Sequence, residues 1–176
     1  DQDLFVGSGG NHKPMGSREM QDRIYRNDGL GNFQLDPAAL PMNGFNTAVA
    51  ISFDFDEDGD PDLFVGSRSV PGKYGVPPPS FVYRNQGNGQ FENVTKTIAP
   101  ELQSVGMVTD AKLADLTGDD KEELIVIGEW IAPQFFRIGK NQFEKMIFSH
   151  LKFVIYIEFL QDKHNYYYNL NLDIAI

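Results

Sequence analysis

The stretch DFDEDGDPDLFVGS, at residues 54–67, places a run of acidic residues directly before a short apolar segment. Six of the nine residues at positions 54–62 are acidic, and none is basic. The last six residues of the stretch, DLFVGS, also occur at residues 3–8, and a looser form, ELIVIG, occurs at residues 123–128. The three copies start 59 and 61 residues apart, which indicates an internal repeat of about 60 residues.

A second marker recurs in step with the first. The sequence IYRNDGLGNF at residues 24–33 returns as VYRNQGNGQF at residues 82–91, which is 58 residues later. A shortened copy, FRIGKNQF, occupies residues 136–143. Two independent markers with one period are hard to obtain by chance, so the repeat is a real feature of the chain.

Within one repeat the apolar residues follow the pattern of strands rather than helices. Residues 47–53 alternate bulky and small side chains, as a strand with two different faces does. Three more short apolar runs follow at residues 63–66, 81–83 and 91–95, separated by Gly, Asn and Pro. Residues 85–89, NQGNG, predict a hairpin because Asn and Gly accept a positive φ.

These patterns predict an all-β fold made of β-propeller blades. Each blade has about four antiparallel strands and roughly 60 residues, and the blades form an incomplete propeller. Stacking blades side by side protects the sheet edges that a lone blade exposes. An ordinary meander sandwich is the alternative.

The acidic run connects two of the predicted strands. Asp54, Asp56 and Asp58 alternate along it, Gly59 permits a sharp turn, and Asp62 closes the loop. Two like charges about 4 Å apart repel by roughly 4 kcal/mol at an effective dielectric near 20. A bound cation reverses the sign of this energy, and calcium suits the loop because it takes about six to eight oxygen ligands in flexible geometry.

The predicted calcium ligands are the carboxylates of the four aspartates just named and the carbonyl oxygen of Asp60. An EF-hand opens in a similar way, but its twelfth position is a Glu, whereas Val65 stands there in this chain, and its flanks are helices. A solvated charge run in a loop is the alternative. A second loop, residues 115–123, is a degraded form of the first.

Composition limits the function further. A net charge of −10 argues against a phosphate-binding surface, so no nucleic-acid partner is expected. The chain has no cysteine, which removes disulfides and thiolate metal sites. No apolar stretch reaches the length of about 18 residues that a membrane span needs. The three histidines are scattered and no catalytic arrangement can be named, so the chain is predicted not to be an enzyme.

The two acidic loops, DFDEDGDPDLFVG and DLTGDDKEELIVIGEW, together with residues 70–95 and 105–111, resemble FG-GAP/VCBS repeat proteins. These proteins carry calcium loops between two strands, as in the integrin α-subunit propeller, and the chain is similar in particular to bacterial members often joined to an ASPIC domain. The resemblance covers roughly residues 1–145. It implies a calcium-stabilised propeller with a binding or scaffolding role outside the cytoplasm, whether secreted, periplasmic or at the cell surface.

The same resemblance implies ligands in the second loop, with a weaker site than in the first. Asp120 stands where Gly is expected, and residues 1–3 resemble the end of a loop that cannot form a complete site. The implied ligands of the second loop are Asp115, Asp119 and the Lys121 carbonyl, which match closely, with Thr117 and Glu123, which depart from the pattern.

Residues 1–145 are expected to be the repeat region, with about two and a half blades. Residues 146–176 form an atypical, unassigned tail, because all 17 glycines and all 10 prolines precede it. The tail is expected to add nothing to calcium binding. The long connection at residues 70–79 offers Tyr74 and Lys73 as ligand-contacting candidates, or is only a stiff connection. Trp130 is expected to pack between blades.

Two functions follow from this sequence. The first is a calcium-binding propeller module that binds or scaffolds an unidentified protein or glycan ligand. The second is a fragment of a secreted carbohydrate-active enzyme of propeller type, in which loop aromatics bind sugar. The lack of a candidate acid/base pair favours the first.

Overall fold

The structure of the chain is a computed structural model that describes residues 1–147, 154–162 and 165–173, the last two ranges as backbone only. It contains two compact units, Asp1–Met146 and Ile147–Ile176. The second unit holds one antiparallel hairpin, formed by two strands of nine residues each. No helix in the described ranges is long and apolar enough to cross a membrane.

The first unit contains one three-stranded and two four-stranded sheets, each a consecutive antiparallel meander. This confirms the prediction of an all-β fold with propeller-like blades. The first sheet is β1 (Leu4–Val6), β2 (Arg23–Asn27) and β3 (Phe33–Asp36). The second is β4 (Asn46–Phe53), β5 (Asp62–Ser69), β6 (Phe81–Asn85) and β7 (Phe91–Asn93). The third is β8 (Met107–Ala114), β9 (Glu123–Glu129), β10 (Ile131–Arg137) and β11 (Glu144–Lys145). The hairpin of the second unit is β12 (Val154–Asp162) and β13 (Asn165–Asp173).

The core consists of two layers, one on each face of the second sheet. Leu63 and Val65 of β5 belong to a cluster with Ile24 of the first sheet. Phe64, between them in sequence, belongs to a cluster with Val108 and other residues of the third sheet. Alternate residues of β5 therefore bury themselves against different neighbours, and the second sheet is packed between the other two.

The glycine of the DLFVGS marker has a packing role. A Cβ on Gly66 would lie 2.7 Å from Cγ1 of Val108 in β8, and a Cβ on Gly7 would lie 2.7 Å from Cγ2 of Thr47 in β4. Real Cβ atoms do not approach other carbons that closely. The repeated glycine is therefore the point at which the first strand of the next sheet, β4 or β8, packs closely against the marker strand.

The predicted hairpin at residues 85–89 is present, with Gly87 and Gly89 at positive φ. The strand expected at residues 91–95 ends earlier, because Thr95 begins a short helix, α1 (Thr95–Ile98). The buried Thr95 hydroxyl accepts a hydrogen bond from the Val82 amide at 2.7 Å, in place of the strand ladder. Two 3-10 turns, Arg18–Met20 and Pro100–Ser104, are further helical elements that the sequence did not predict.

The expectation that Trp130 packs between blades is wrong. Trp130 lies at the tip of the β9–β10 hairpin, and 77% of its surface is exposed. Its φ of 60° holds it in the left-handed region. A residue at the tip of a tight hairpin extends beyond the sheet rather than over its face, so the ring cannot reach the core.

Candidate metal centre

The first acidic loop runs from the end of β4 to the start of β5. Asp54, Asp56 and Asp58 each offer a carboxylate oxygen, and these three oxygens lie within 4.8 Å of one another. Asp54 fixes the turn, since its carboxylate accepts hydrogen bonds from the amides of Asp58 at 3.2 Å and Gly59 at 2.9 Å. The structure therefore brings together three of the four carboxylates that the sequence singled out.

Asp56 is the most unusual member of this cluster. Only 6% of its surface is exposed, and its Oδ1 has no hydrogen-bond partner among the described residues. A buried carboxylate oxygen without a partner costs free energy. An oxygen of this kind, on a residue that belongs to a cluster of three carboxylates, fits a bound cation.

Asp62 lies at the start of β5 and is fully buried. Its Oδ1 accepts a hydrogen bond from the Asn85 amide at 2.8 Å, and its Oδ2 accepts one from the Phe55 amide at 3.2 Å. The first bond recurs in the first sheet, where the Asn27 amide donates to Asp3 at 2.9 Å. Asp62 thus anchors the loop to β6, in addition to any part it takes in metal binding.

Burial, together with the nearby charges of Asp56 and Asp58, raises the pKa of Asp62 to about 6, although the hydrogen bonds from the two backbone amides oppose the shift. Asp62 is not among the three clustered carboxylates. Its role as a ligand, like that of the Asp60 carbonyl, stays a prediction. The amide of Asp60 donates to Asp58 Oδ1 at 2.9 Å, which tightens the second half of the loop.

The second loop, between β8 and β9, repeats the internal hydrogen bonds of the first and adds two more, from the amides of Thr117 and Gly118 to Asp115. The Asp115 carboxylate accepts bonds from the amides of the fifth and sixth loop positions, Asp119 and Asp120, at 3.3 and 2.9 Å. Asp54 accepts the corresponding bonds in the first loop. The seventh-position amide, Lys121, donates to Asp119 at 3.1 Å. The two loops therefore share one backbone geometry.

Both loops also have left-handed residues at their fourth and sixth positions. In the first loop these are Glu57, with φ 59°, and Gly59, with φ 91°. In the second loop they are Gly118, with φ 74°, and Asp120, with φ 60°. Asp120 keeps the turn without glycine because aspartate tolerates this region better than most residues do. The glycine has moved by two positions while the backbone path is unchanged.

The second loop differs in its ligand set. Thr117 stands where the first loop has Asp56, and no second group of three clustered acidic or histidine ligands occurs in the described part of the chain. Glu123 takes the anchoring role of Asp62, because its buried carboxylate accepts the Leu116 amide at 2.8 Å. Its other oxygen accepts the Thr117 hydroxyl at 3.4 Å.

In each of the three sheets, an arginine in the strand that follows the marker strand pairs with a carboxylate. Each of these arginines lies in a copy of the second marker, but no role was predicted for them. Arg84 and Arg137 place a fixed positive charge beside the two acidic loops. The pairs are Arg26 with Asp3 at 2.6 Å, Arg84 with Asp56 at 2.9 Å, and Arg137 with Glu123 at 4.0 Å.

Comparison with known protein families gives the same repeat. The family model of the FG-GAP-like repeat matches residues 1–65 and, again, residues 54–126. The chain belongs to the FG-GAP-like repeat family. The first match of the FG-GAP-like repeat runs from β1 to β5 and includes the first acidic loop, and the second runs from that loop to β9 and includes both acidic loops. No curated protein and no solved structure matched the chain.

Proposed function

We propose that this FG-GAP-like repeat chain is a calcium-binding propeller module. The observation that carries the proposal is that Asp56, whose carboxylate clusters with those of Asp54 and Asp58, has a buried Oδ1 without a hydrogen-bond partner among the described residues. These three residues would hold the ion, with the Asp60 carbonyl and Asp62 completing its ligands. Bound calcium would neutralise the repulsion among carboxylates that the loop otherwise sustains.

The donor set favours calcium over other metals. All the proposed donors are oxygens, and no histidine or cysteine lies among them. A hard cation prefers such ligands, and calcium accepts the irregular geometry of a loop more readily than magnesium does.

The proposed role is non-enzymatic and lies outside the cytoplasm. Extracellular calcium modules typically bind with a Kd of about 10⁻⁴ to 10⁻³ M, which suits a calcium-rich compartment. The ion would fix the connection between β4 and β5, and the module would then present a rigid surface to a protein or glycan ligand. A relationship to VCBS-type bacterial proteins with an ASPIC domain is part of the same proposal.

Calorimetry with the whole chain tests calcium binding. Replacing both Asp54 and Asp56 by Ala should remove one equivalent of bound calcium and should lower the melting temperature more in calcium than in EDTA. The matched control replaces Glu101 and Glu144, two exposed residues outside the loops, so that the net charge changes equally. The control should bind as the wild type does. If the wild type binds no calcium at millimolar concentration, the proposal is wrong.

A further inference from the structure

Two exposed aromatic side chains meet at the end of the sheets that lies opposite the acidic loops. β5 and β9 start at the acidic loops and end next to these aromatics, so that about 25 Å of strand separates the two features. Tyr74 comes from the β5–β6 connection and Trp130 from the tip of the β9–β10 hairpin. Their ring centroids are 5.7 Å apart and the ring planes meet at 74°. We call this pair the aromatic corner.

The aromatic corner is held in place by two charged residues. The Tyr74 hydroxyl donates a hydrogen bond to one carboxylate oxygen of Glu129, and the guanidinium of Arg68 donates to the other. The hydrogen bond to Glu129 raises the pKa of the Tyr74 phenol above its ordinary value. Glu129 thus holds the Tyr74 ring in place against Trp130, although 65% of Tyr74 and 77% of Trp130 are exposed.

Core packing does not explain this arrangement. Trp130 adopts a left-handed conformation with φ 60°, which is rare for a bulky residue and costs about 1–3 kcal/mol. Because the Trp130 ring is largely exposed, its burial offsets little of the cost of the left-handed backbone. An exposed, strained and oriented Trp is the pattern expected of a side chain that meets a ligand.

The chemistry around the rings indicates the class of ligand. The charges of Arg68 and Glu129 cancel, so the corner favours a neutral ligand over an anion or a cation. A pyranose ring has C–H faces that pack against the electron-rich faces of aromatic rings. Its hydroxyl groups can accept hydrogen bonds from the free donors of Arg68 and donate to Glu129.

We propose that the aromatic corner of Tyr74 and Trp130 is a binding subsite for a neutral sugar ring of a glycan, with Arg68 and Glu129 binding its hydroxyls. The subsite shares no residue with the acidic loops, so this inference does not depend on calcium binding. A proline-rich peptide also packs against aromatic rings, but proline has no backbone N–H, so such a peptide offers no donor to the carboxylate of Glu129.

The single Trp of the chain makes the test direct. Hexasaccharides of glucose, mannose, galactose and N-acetylglucosamine, and a decaproline peptide for comparison, are each titrated to about 10 mM. This range detects dissociation constants as weak as about 10 mM, or free energies of binding of about −3 kcal/mol. Trp fluorescence and saturation-transfer NMR are recorded. At least one hexasaccharide should shift the Trp130 emission and receive saturation. If none does, or if only a decaproline peptide does, the proposal is overturned.

Two variants locate the site. Tyr74→Ala should weaken binding at least tenfold. Trp130→Asn should abolish the saturation transfer without unfolding the chain, because asparagine tolerates a positive φ. The control is Phe33→Ala, which removes an exposed aromatic from β3 in the first sheet and should leave binding unchanged. Equal losses in all three variants, or none in the first two, would place any sugar binding elsewhere and overturn the proposal.

Discussion

Arg84 faces Asp56 across the first acidic loop, with Nε 2.9 Å from Oδ2 of the carboxylate. The contact is an ion pair without a directed hydrogen bond, since the Arg84 Nε has no hydrogen-bond partner among the described residues. The guanidinium also lies over the ring of Phe55, 5.2 Å from its centroid. One carboxylate of the proposed metal centre is therefore shared with a cation that belongs to the protein.

Removing this cation should have opposite effects on stability and on calcium affinity. Arg84→Met should lower the free energy of unfolding in EDTA by about 1–3 kcal/mol, because the largely buried Asp56 loses its partner. The same change should tighten calcium binding about tenfold, since a positive charge beside the ion is gone. Urea unfolding and calorimetry measure the two quantities. Arg84→Lys keeps the charge and serves as the control, and weaker calcium binding by Arg84→Met would contradict the prediction.

The second loop should gain a usable site from one substitution. Because its backbone hydrogen bonds match those of the first loop, only its ligands limit it. Thr117→Asp should therefore add calcium binding at this loop, and adding Asp120→Gly should relieve the left-handed conformation there. Calorimetry on a chain that also lacks Asp54 and Asp56 isolates the second loop. The unaltered second loop in that background is the control, and equal calcium binding with and without the new carboxylate would show that ligand number is not the limit.

The marker glycine should not tolerate a methyl group. Gly66→Ala would place a Cβ 2.7 Å from Val108 and 2.8 Å from Val49, so it should lower the free energy of unfolding by about 1–3 kcal/mol. Gly9→Ala is the matched control, because its Cβ would meet nothing closer than the Asn46 side chain at 3.7 Å. Urea unfolding in calcium distinguishes them. Equal stability of the two variants would mean that the sheets separate easily at this crossing.

Asp22 should make stability depend on pH. This buried carboxylate accepts hydrogen bonds from the Ser8 amide, the Asn43 amide group and the Thr47 hydroxyl, yet burial raises its pKa above the ordinary 3.8. The folded state therefore binds the proton more readily than the unfolded state does. The stability that Asp22 contributes is full below the ordinary pKa and is lost as the pH rises through the raised value.

The measurement compares wild type with Asp22→Asn by urea unfolding in EDTA from pH 3.5 upward. The other carboxylates are common to both chains, so the difference in free energy of unfolding reports Asp22 alone. The advantage of the wild type should shrink as the pH rises. A constant or growing advantage would show that the three hydrogen bonds outweigh burial.

Much of the fold could be predicted from the sequence, because the repeat places the same residue types at equivalent strands and turns of each sheet. The DLFVGS marker predicted β5, and the NQGNG stretch predicted the hairpin that follows β6. The helix that begins at Thr95 was missed. Its cause is a tertiary contact, the bond from the Val82 amide to the Thr95 hydroxyl, which no local pattern contains.

The candidate site was predicted in its acidic residues but not in its partners. The alternation of Asp54, Asp56 and Asp58 is a local signal, and the structure gathers these three. Arg84 lies 28 positions beyond Asp56, and their contact depends on how β6 pairs with β5. Trp130 was misjudged because composition suggests burial for a lone Trp, whereas a hairpin tip leaves it outside.

The crossing at the marker glycine has a meaning for how such chains grow. The family repeat matched at residues 1–65 starts in the first sheet and ends in β5 of the second. Gly7 and Thr47, whose crossing joins those two sheets, both lie inside that one segment. A duplication of the segment therefore copies both sides of a packing contact between two neighbouring sheets, rather than one sheet alone. Each new copy then already contains the glycine and the facing residue that let adjacent sheets pack together.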